Sequence, residues 1–274
     1  MNAPGRSRTR KWIVEAVMIV LALAWIYPAV FVLYNAVKPE ADIKLHPISP
    51  PTTFTAANFA KAWTEMRFPN ALMNTAVITV FGVAGIVLVS SMAAWKLART
   101  FGRLSWILYL LFAFAMVVPF QIIMVPIVGL STDLKLASVW GIIPMYWGLG
   151  APLAVFMYHG FVKGVPRELE EAAAIDGGGQ FFVFFRVVLP LMMPITATIV
   201  ILDALWLWND FLLPLIVVKA GTLQLEQLHF YGMFLREYGP SAASLILSAT
   251  PIIVLYLALQ KYIIRGIAAG AVKG

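Results

Sequence analysis

Long apolar stretches separated by short polar segments are the main pattern of the chain. A helix needs about 20 apolar residues to cross the hydrocarbon core of a bilayer. Six windows reach that length, at residues 12–37, 71–97, 104–130, 138–162, 191–218 and 242–264. The pattern predicts an all-α membrane protein, a single transmembrane domain over residues 1–274 with six transmembrane helices. An even number of spans places both termini on the same side of the membrane.

Composition supports the membrane assignment. Hydrophobic residues make up 61% of the chain and charged residues 12%, whereas a soluble domain has about 25% charged residues. A soluble domain and a disordered chain are therefore both excluded. The absence of cysteine excludes disulfides and thiolate metal sites. The three histidines are far apart and have no metal-ligand spacing, so we predict no metal site.

The chain has a net charge of +7, and the distribution of its Lys and Arg residues predicts which side of the membrane the termini occupy. In a chain this apolar, we interpret the positive charge as basic loops beside anionic lipid headgroups, with no nucleic-acid partner. Lys and Arg are more frequent in one set of segments (the N-terminus, residues 96–103, residues 163–190 and the C-terminus) than in the opposite set (38–70, 129–137 and 219–241). Because cytoplasmic loops carry the excess of basic residues, both termini are predicted to be cytoplasmic.

Prolines interrupt two windows and one loop. Pro119 and Pro126 lie in the third window, and Pro144 and Pro152 lie in the fourth. Proline removes a backbone hydrogen bond, so bent or broken helices are expected there. The loop of residues 38–70 is also proline-rich, which disfavours a long helix across most of it, and residues 56–66 are a candidate for a short surface helix.

The sequence of the loop of residues 163–190, which is predicted to be cytoplasmic, predicts a short helix. Pro166 suits a first helical position, and glutamates 168, 170 and 171 suit the positive end of the helix dipole. Alanines 172–174 favour the helix, and glycines 177–179 can end it in a left-handed turn. The predicted product is a short, smooth helix with an acidic tip. It either docks as a rigid piece into a partner or is only a solvated connector.

Polar residues in the fifth window are candidates for a substrate pathway. A charge near the middle of a bilayer is costly and usually faces protein or water. Asp203, Trp206 and Asp210 have a spacing that places them on one helix face, and Asn209 and Gln121 could add hydrogen bonds. Carboxylates accept bonds from sugar hydroxyls, and an indole packs on the C–H face of a sugar. A structural helix–helix contact through Asp203 remains an equal alternative.

The loop also resembles a known family. Residues 171–177 read EAAAIDG, with Phe184, Leu189 and Pro190 downstream. This run is similar to the EAA loop of binding-protein-dependent ABC importers, except at Gly178, where alanine is usual. The segment WNDF at residues 208–211 and the ending GIAAGAVKG at residues 266–274 resemble the second permease of maltose-type sugar importers.

The resemblance implies a type I ABC importer permease fold and a set of partners. They are a homologous second permease in a heterodimer, two ATPase subunits and a periplasmic or lipid-anchored sugar-binding protein. The chain would lie in the bacterial inner membrane and move a di- or oligosaccharide into the cytoplasm. It has no phosphate-binding loop, so ATP and Mg would be held by the partner ATPases, and no cofactor is expected in this chain.

The resemblance also implies roles for particular residues. The candidates for coupling to the ATPases are Glu171, Ala172, Ala173, Asp176 and Gly177. In the tail of residues 265–274, the candidates for ATPase contact are Gly270, Val272, Lys273 and Gly274, although a frayed terminus is the alternative. The candidates for contact with the binding protein are Gln224, Glu226 and Tyr231. In this family the sugar can be held mainly by the other permease.

Two other function classes compete with an ABC permease. A secondary transporter or facilitator would need no ATPase partner, but such folds usually have internal repeats, and none is evident. A membrane enzyme would need a catalytic cluster, and only scattered Asp, His and Ser are present. We therefore predict a transport subunit that is not an enzyme.

Overall fold

The structure is a computed structural model that describes the backbone of residues 4–219, 221–231 and 237–271. All of the regular elements in these ranges are helices, as predicted. The α-helices are α1 Pro4–Ala36, α2 Glu40–Leu45, α3 Ala57–Glu65, α4 Phe68–Arg99, α5 Arg103–Ala115, α6 Phe120–Asp133, α7 Ile142–Val162, α8 Glu168–Ile175, α9 Gln180–Val183, α10 Leu189–Leu191, α11 Met193–Asn209, α12 Leu212–Val217, α13 Leu223–Glu226 and α14 Tyr238–Ala271. A π-helix, Phe184–Val188, joins α9 to α10, and a 3₁₀ turn, Gln227–Phe230, follows α13.

Three described helices are long and apolar enough to cross a membrane: Arg10–Ala36 of α1, α4, and Tyr238–Ala258 of α14. Two further spans result if each of two bent helix pairs counts as one. These pairs are α5 with α6, bent by 104°, and Gln180–Leu191 with α11, bent by 77°. Helix α7 has 21 residues and coincides with the fourth window, but it is not in this group. Six spans therefore remain a prediction.

The bends follow only some of the prolines. Pro119 immediately precedes α6 at the 104° bend, as expected. Pro126 lies inside α6 and Pro152 inside α7, and neither helix is broken there. A membrane helix tolerates proline where neighbouring groups satisfy the freed carbonyl. The fifth window is not one helix either, because α11 ends at Asn209 and α12 begins at Leu212.

The described chain forms two compact units. The first comprises Met1–Phe68 and Gln227–Thr250, and the second comprises Pro69–Glu226 and Pro251–Gly274. The core of the second unit lies among α4, α7, the π-helix and α11, where Ile86, Tyr146, Tyr158 and Phe184 are fully buried. This second unit contains the loop and the polar face singled out by the sequence.

The first unit is held by polar contacts near the end of α1. The Asn58 amide donates to the carbonyl groups of Ala36 and Lys38, at 3.0 and 2.7 Å. Lys38 is fully buried and donates to the His46 carbonyl at 2.7 Å. Helix α3, which includes Asn58, confirms the short helix expected over residues 56–66.

A charged pair joins α3 to the start of α14 within the same unit. Lys61 Nζ lies 2.6 Å from the Glu237 carboxylate. The hydrogen bond to Glu237 raises the pKa of Lys61 above its ordinary value. Both side chains are partly exposed, so the pair adds little to stability by itself.

Candidate functional site

Helix α8 is the short helix predicted in the loop of residues 163–190. It begins at Glu168, two residues after Pro166, and ends at Ile175. The Asp176 N–H donates to the Ala172 carbonyl at 3.0 Å. Gly177 follows with φ of +87°, the left-handed conformation that favours glycine. The predicted left-handed helix end is therefore present.

The surface of α8 is open. None of its residues is buried, and Glu171 and Ala172 are exposed, as are Asp176 and Gly177 just beyond its end. Ala173 instead packs against the core of the second unit. Ile175 adds a large apolar side chain that is 85% exposed. An exposed acidic and apolar face of this kind is available to a partner protein.

Sequence reasoning missed the residue that holds α8 in place. Glu170 accepts hydrogen bonds from Arg99 Nε at 2.8 Å and from Trp95 Nε1 at 2.9 Å. Arg99 Nη2 lies 2.7 Å from the same carboxylate and also donates to the Val165 carbonyl at 2.8 Å. Trp95 and Arg99 are four residues apart, so they lie on one face of α4. This spacing is the sequence feature that could have indicated a shared partner for their side chains.

Gly178, where the loop departs from the pattern it resembles, fits a close approach of the chain to the end of α8. A Cβ atom placed there would lie 2.6 Å from the Ala173 carbonyl oxygen and 2.7 Å from the Phe182 ring. The Gly178 N–H also donates to that carbonyl at 3.0 Å. In this conformation of the turn, glycine avoids a collision with backbone that alanine would cause.

A cavity of about 650 Å³ in the second unit is bordered by three of the predicted pathway residues. Asp203, Trp206 and Asp210 all line it, together with apolar residues that include Met116, Phe120 and Pro152. This size is within the range of small-molecule sites, which are mostly apolar with a few placed polar groups. The arrangement suits a ligand that has both hydroxyl groups and apolar faces.

The polar groups of this cavity differ in whether they have hydrogen-bond partners. Tyr146 donates its hydroxyl to Asp210 Oδ2 at 2.7 Å, and Asp210 Oδ1 accepts the Leu212 N–H at 3.1 Å. The Trp206 ring meets the Tyr146 ring edge-on at 5.6 Å. Asp203 is 4% exposed, and among the described residues its Oδ2 has no hydrogen-bond partner. An unpaired buried carboxyl oxygen is costly, so it needs an explanation.

The structure does not bring the other two pathway candidates to the cavity. Asn209 is exposed and donates its amide to the Leu205 carbonyl of its own helix at 2.8 Å. Gln121 is exposed on α6, and neither residue lines the cavity. Asn209 and Gln121 are therefore not grouped with the other three candidates at this cavity, and their part in a substrate pathway stays a prediction.

The candidates for contact with a binding protein have local partners. Gln224 donates to the Trp208 carbonyl at 3.2 Å, and Glu226 accepts the Gly221 N–H at 2.8 Å. Tyr231, which belongs to the first unit, is 53% exposed. It lines a cavity of about 510 Å³ in that unit.

The tail candidates lie almost entirely outside the described residues. Val272, Lys273 and Gly274 are beyond them, and only the backbone of Gly270 is described. Helix α14 continues to Ala271, so the backbone of most of the tail of residues 265–274 is helical. The run of alanines at 268, 269 and 271 offsets the helix-breaking effect of the glycines.

Comparison with known proteins identifies close relatives. Residues 85–269 match the family model described as the binding-protein-dependent transport system inner membrane component. The chain is 36% identical over 267 residues to the probable starch degradation products transport system permease protein AmyC of Thermoanaerobacterium thermosulfurigenes, which covers 96% of this chain and 97% of that protein. It is also 36% identical to the multiple sugar-binding transport system permease protein MsmG of Streptococcus mutans, over 90% of this chain and 91% of that protein.

A solved structure has the same fold. It is the crystal structure of a bacterial ABC transporter involved in the import of the acidic polysaccharide alginate. The match has a TM-score of 0.81 at 21% identity and covers 96% of this chain and 99% of that one.

Proposed function

The chain belongs to the family of binding-protein-dependent transport system inner membrane components, and from this premise we propose that it is the permease subunit of an ATP-driven importer of a di- or oligosaccharide. It is a multi-pass protein of the inner membrane and a transport subunit, not an enzyme. The single observation that carries the coupled mechanism is α8, a short helix that Glu170 ties to α4, that Ala173 packs against the core, and whose other residues are exposed to a partner.

The proposed topology has six spans and cytoplasmic termini. Helix α7 would be the fourth span, and the bent pairs would be the third and fifth. The basic segments, among them the loop that contains α8, support this orientation, because they would face the cytoplasm. In that orientation α8 lies on the side where ATP is available.

The proposed assembly follows the family. It contains a homologous second permease, two ATPase subunits that hold ATP and Mg, and an external sugar-binding protein. This chain has no phosphate-binding loop, so it needs the energy of a separate ATPase. Gln224, Glu226 and Tyr231 are proposed to meet the binding protein, and the tail from Gly270 onward is proposed to meet the ATPases.

A sugar is the substrate class best supported. The names of AmyC and MsmG refer to starch degradation products and to multiple sugars. The cavity of the second unit has carboxyl groups at Asp203 and Asp210 beside the indole of Trp206. These groups suit hydroxyl donors and the apolar face of a sugar ring.

Coupling through α8 gives a first testable prediction. Glu171→Ala is expected to lower sugar-stimulated ATP hydrolysis by the assembled transporter several-fold, because Glu171 is an exposed acidic contact at the proposed ATPase interface. Sugar-stimulated ATPase activity in proteoliposomes is the measurement. Glu168→Ala, an exposed glutamate on the same helix, is the matched control and should keep most of the activity.

Two outcomes would count against this proposal. Full stimulation in the Glu171→Ala assembly would remove Glu171 from the interface. Sugar uptake by this chain with no ATPase subunit present would instead support a facilitator.

A further inference from the structure

The carboxylate of Glu170 joins two elements that are far apart in sequence. One oxygen is bonded to Arg99 and the other to the Trp95 indole, both from the last turns of α4. The Glu170 and Arg99 side chains are only 12% and 14% exposed. A bonded ion pair this well shielded from water is held in one geometry, unlike a surface pair that exchanges with solvent.

Arg99 extends the connection beyond Glu170. Its Nη2 donates to the carbonyl of Val165, which is three residues before the start of α8. The segment that leads into α8 and the first turn of α8 are therefore both fixed to the same guanidinium. A displacement of α8 relative to α4 would have to break both contacts.

Trp95 links this cluster to the π-helix, which precedes α10 and α11 in the chain. Its ring lies 5.4 Å from the ring of Phe184, which is fully buried in the π-helix. The π-helix leads through α10 and the 77° bend into α11, which carries Asp203. One continuous set of contacts thus runs from α8 through the end of α4 to the polypeptide that enters α11.

We propose that Glu170, Arg99 and Trp95 form a coupling latch that makes α8 and the cytoplasmic end of α4 move as one body. The inference rests on the proposed function, because it requires that a motor displace α8. Glu170 is then a positioning residue: it transmits the displacement and does not touch the ATPase, whereas Glu171 on the outer face of α8 makes the contact.

The test uses the complete transporter in proteoliposomes, with the sugar imported per ATP hydrolysed as the main readout. Glu170→Gln keeps the shape of the side chain but removes its charge. The variant is expected to retain parental amounts of co-purified ATPase and to lose about fivefold or more of the import per ATP. Glu170→Asp is expected to recover part of that ratio. The Glu170→Gln, Arg99→Gln double variant should be no worse than the worse single variant, because both break one latch.

A distance measurement separates a latch from a merely structural contact. The chain has no cysteine, so labels can be placed at the exposed positions Lys96 and Glu168 by cysteine substitution. With the latch intact, the distance between labels on α4 and α8 should stay the same with and without ATP. In the Glu170→Gln protein the distance should change or broaden when ATP binds.

Three results would overturn the latch. These are a parental import per ATP in Glu170→Gln with parental thermal stability, a parental import per ATP with reduced thermal stability, and a label distance that changes with ATP in the intact protein. Failure of the proposed function looks different, since the unsubstituted complex would then show no ATP-dependent import at all.

Discussion

Replacing Asp203 by asparagine is expected to leave the protein at least as stable as the parent and to slow sugar import by about tenfold or more. Asp203 is 4% exposed, and its Oδ2 has no hydrogen-bond partner in the described part of the chain. A buried carboxyl group in this state destabilises the fold, so a neutral amide of the same shape should relieve that cost. Proteins retain such costly groups mainly where function needs them.

The loss of import follows from the proposed bond to the substrate. A hydrogen bond from a sugar hydroxyl to a charged acceptor contributes about 1.5–3 kcal/mol. Each 1.4 kcal/mol corresponds to about a tenfold change in rate or affinity. The carbonyl oxygen of asparagine is a neutral and therefore weaker acceptor in the same place. Its amide N–H groups are donors, so they cannot accept a hydrogen bond from a sugar hydroxyl.

Import and stability together distinguish the two roles considered for Asp203. A residue that serves only helix packing should lose stability on substitution and affect import in proportion. The measurements are the initial rate of import into proteoliposomes and the thermal midpoint of the purified complex. Asn209→Ala is the matched control, because Asn209 is on the same helix but does not line the cavity. A destabilised Asp203→Asn protein with normal import per folded complex would assign Asp203 to packing.

The apolar pattern predicted most of the helices, whereas the prolines predicted that bends occur but not which proline would coincide with one. The window at 71–97 became the single helix α4, because nothing in it interrupts the backbone hydrogen bonds. Pro119 and Pro126 look alike in the sequence, yet the chain bends at the first and continues through the second. Whether a proline breaks a helix depends on which neighbours satisfy the freed carbonyl, and this is set by tertiary contacts.

The candidate site likewise depends partly on spacing within one helix and partly on contacts between residues far apart in the sequence. Asp203, Trp206 and Asp210 line one cavity, but helix periodicity, which is a local property, accounts only for Asp203 and Trp206, because Asp210 lies just beyond the end of α11. Glutamates 170 and 171 are neighbours in the sequence, but a helix turns about 100° per residue and only one of them can face α4. The choice depends on Arg99, 71 residues away, and helix periodicity within α8 cannot supply that contact.

The substitution Gly85→Leu is expected to lower the free energy of unfolding of the second unit by about 3 kcal/mol or more, which is at the upper end of the effects of overpacking. Gly85 is buried on α4, and a Cβ atom built there would overlap the indole of Trp147 on α7. Gly82 and Gly150 are similarly close to Leu207 and Ile86. Small residues of this kind let membrane helices approach each other closely, and this packing drives their association.

The indole makes the collision harder to relieve. Trp147 donates its Nε1–H to the Phe81 carbonyl at 3.0 Å, so a displaced ring would leave a donor and a backbone acceptor without each other. The expected result is a sharp fall in the amount of folded complex and in its thermal midpoint, measured by fluorescence-detected gel filtration after heating. Gly160→Leu is the matched control, because a Cβ atom at this exposed glycine of α7 meets nothing within 4 Å. If both leucine variants lose stability equally, the effect is that of a larger side chain on any membrane helix, and close packing of α4 against α7 is not what holds the unit together.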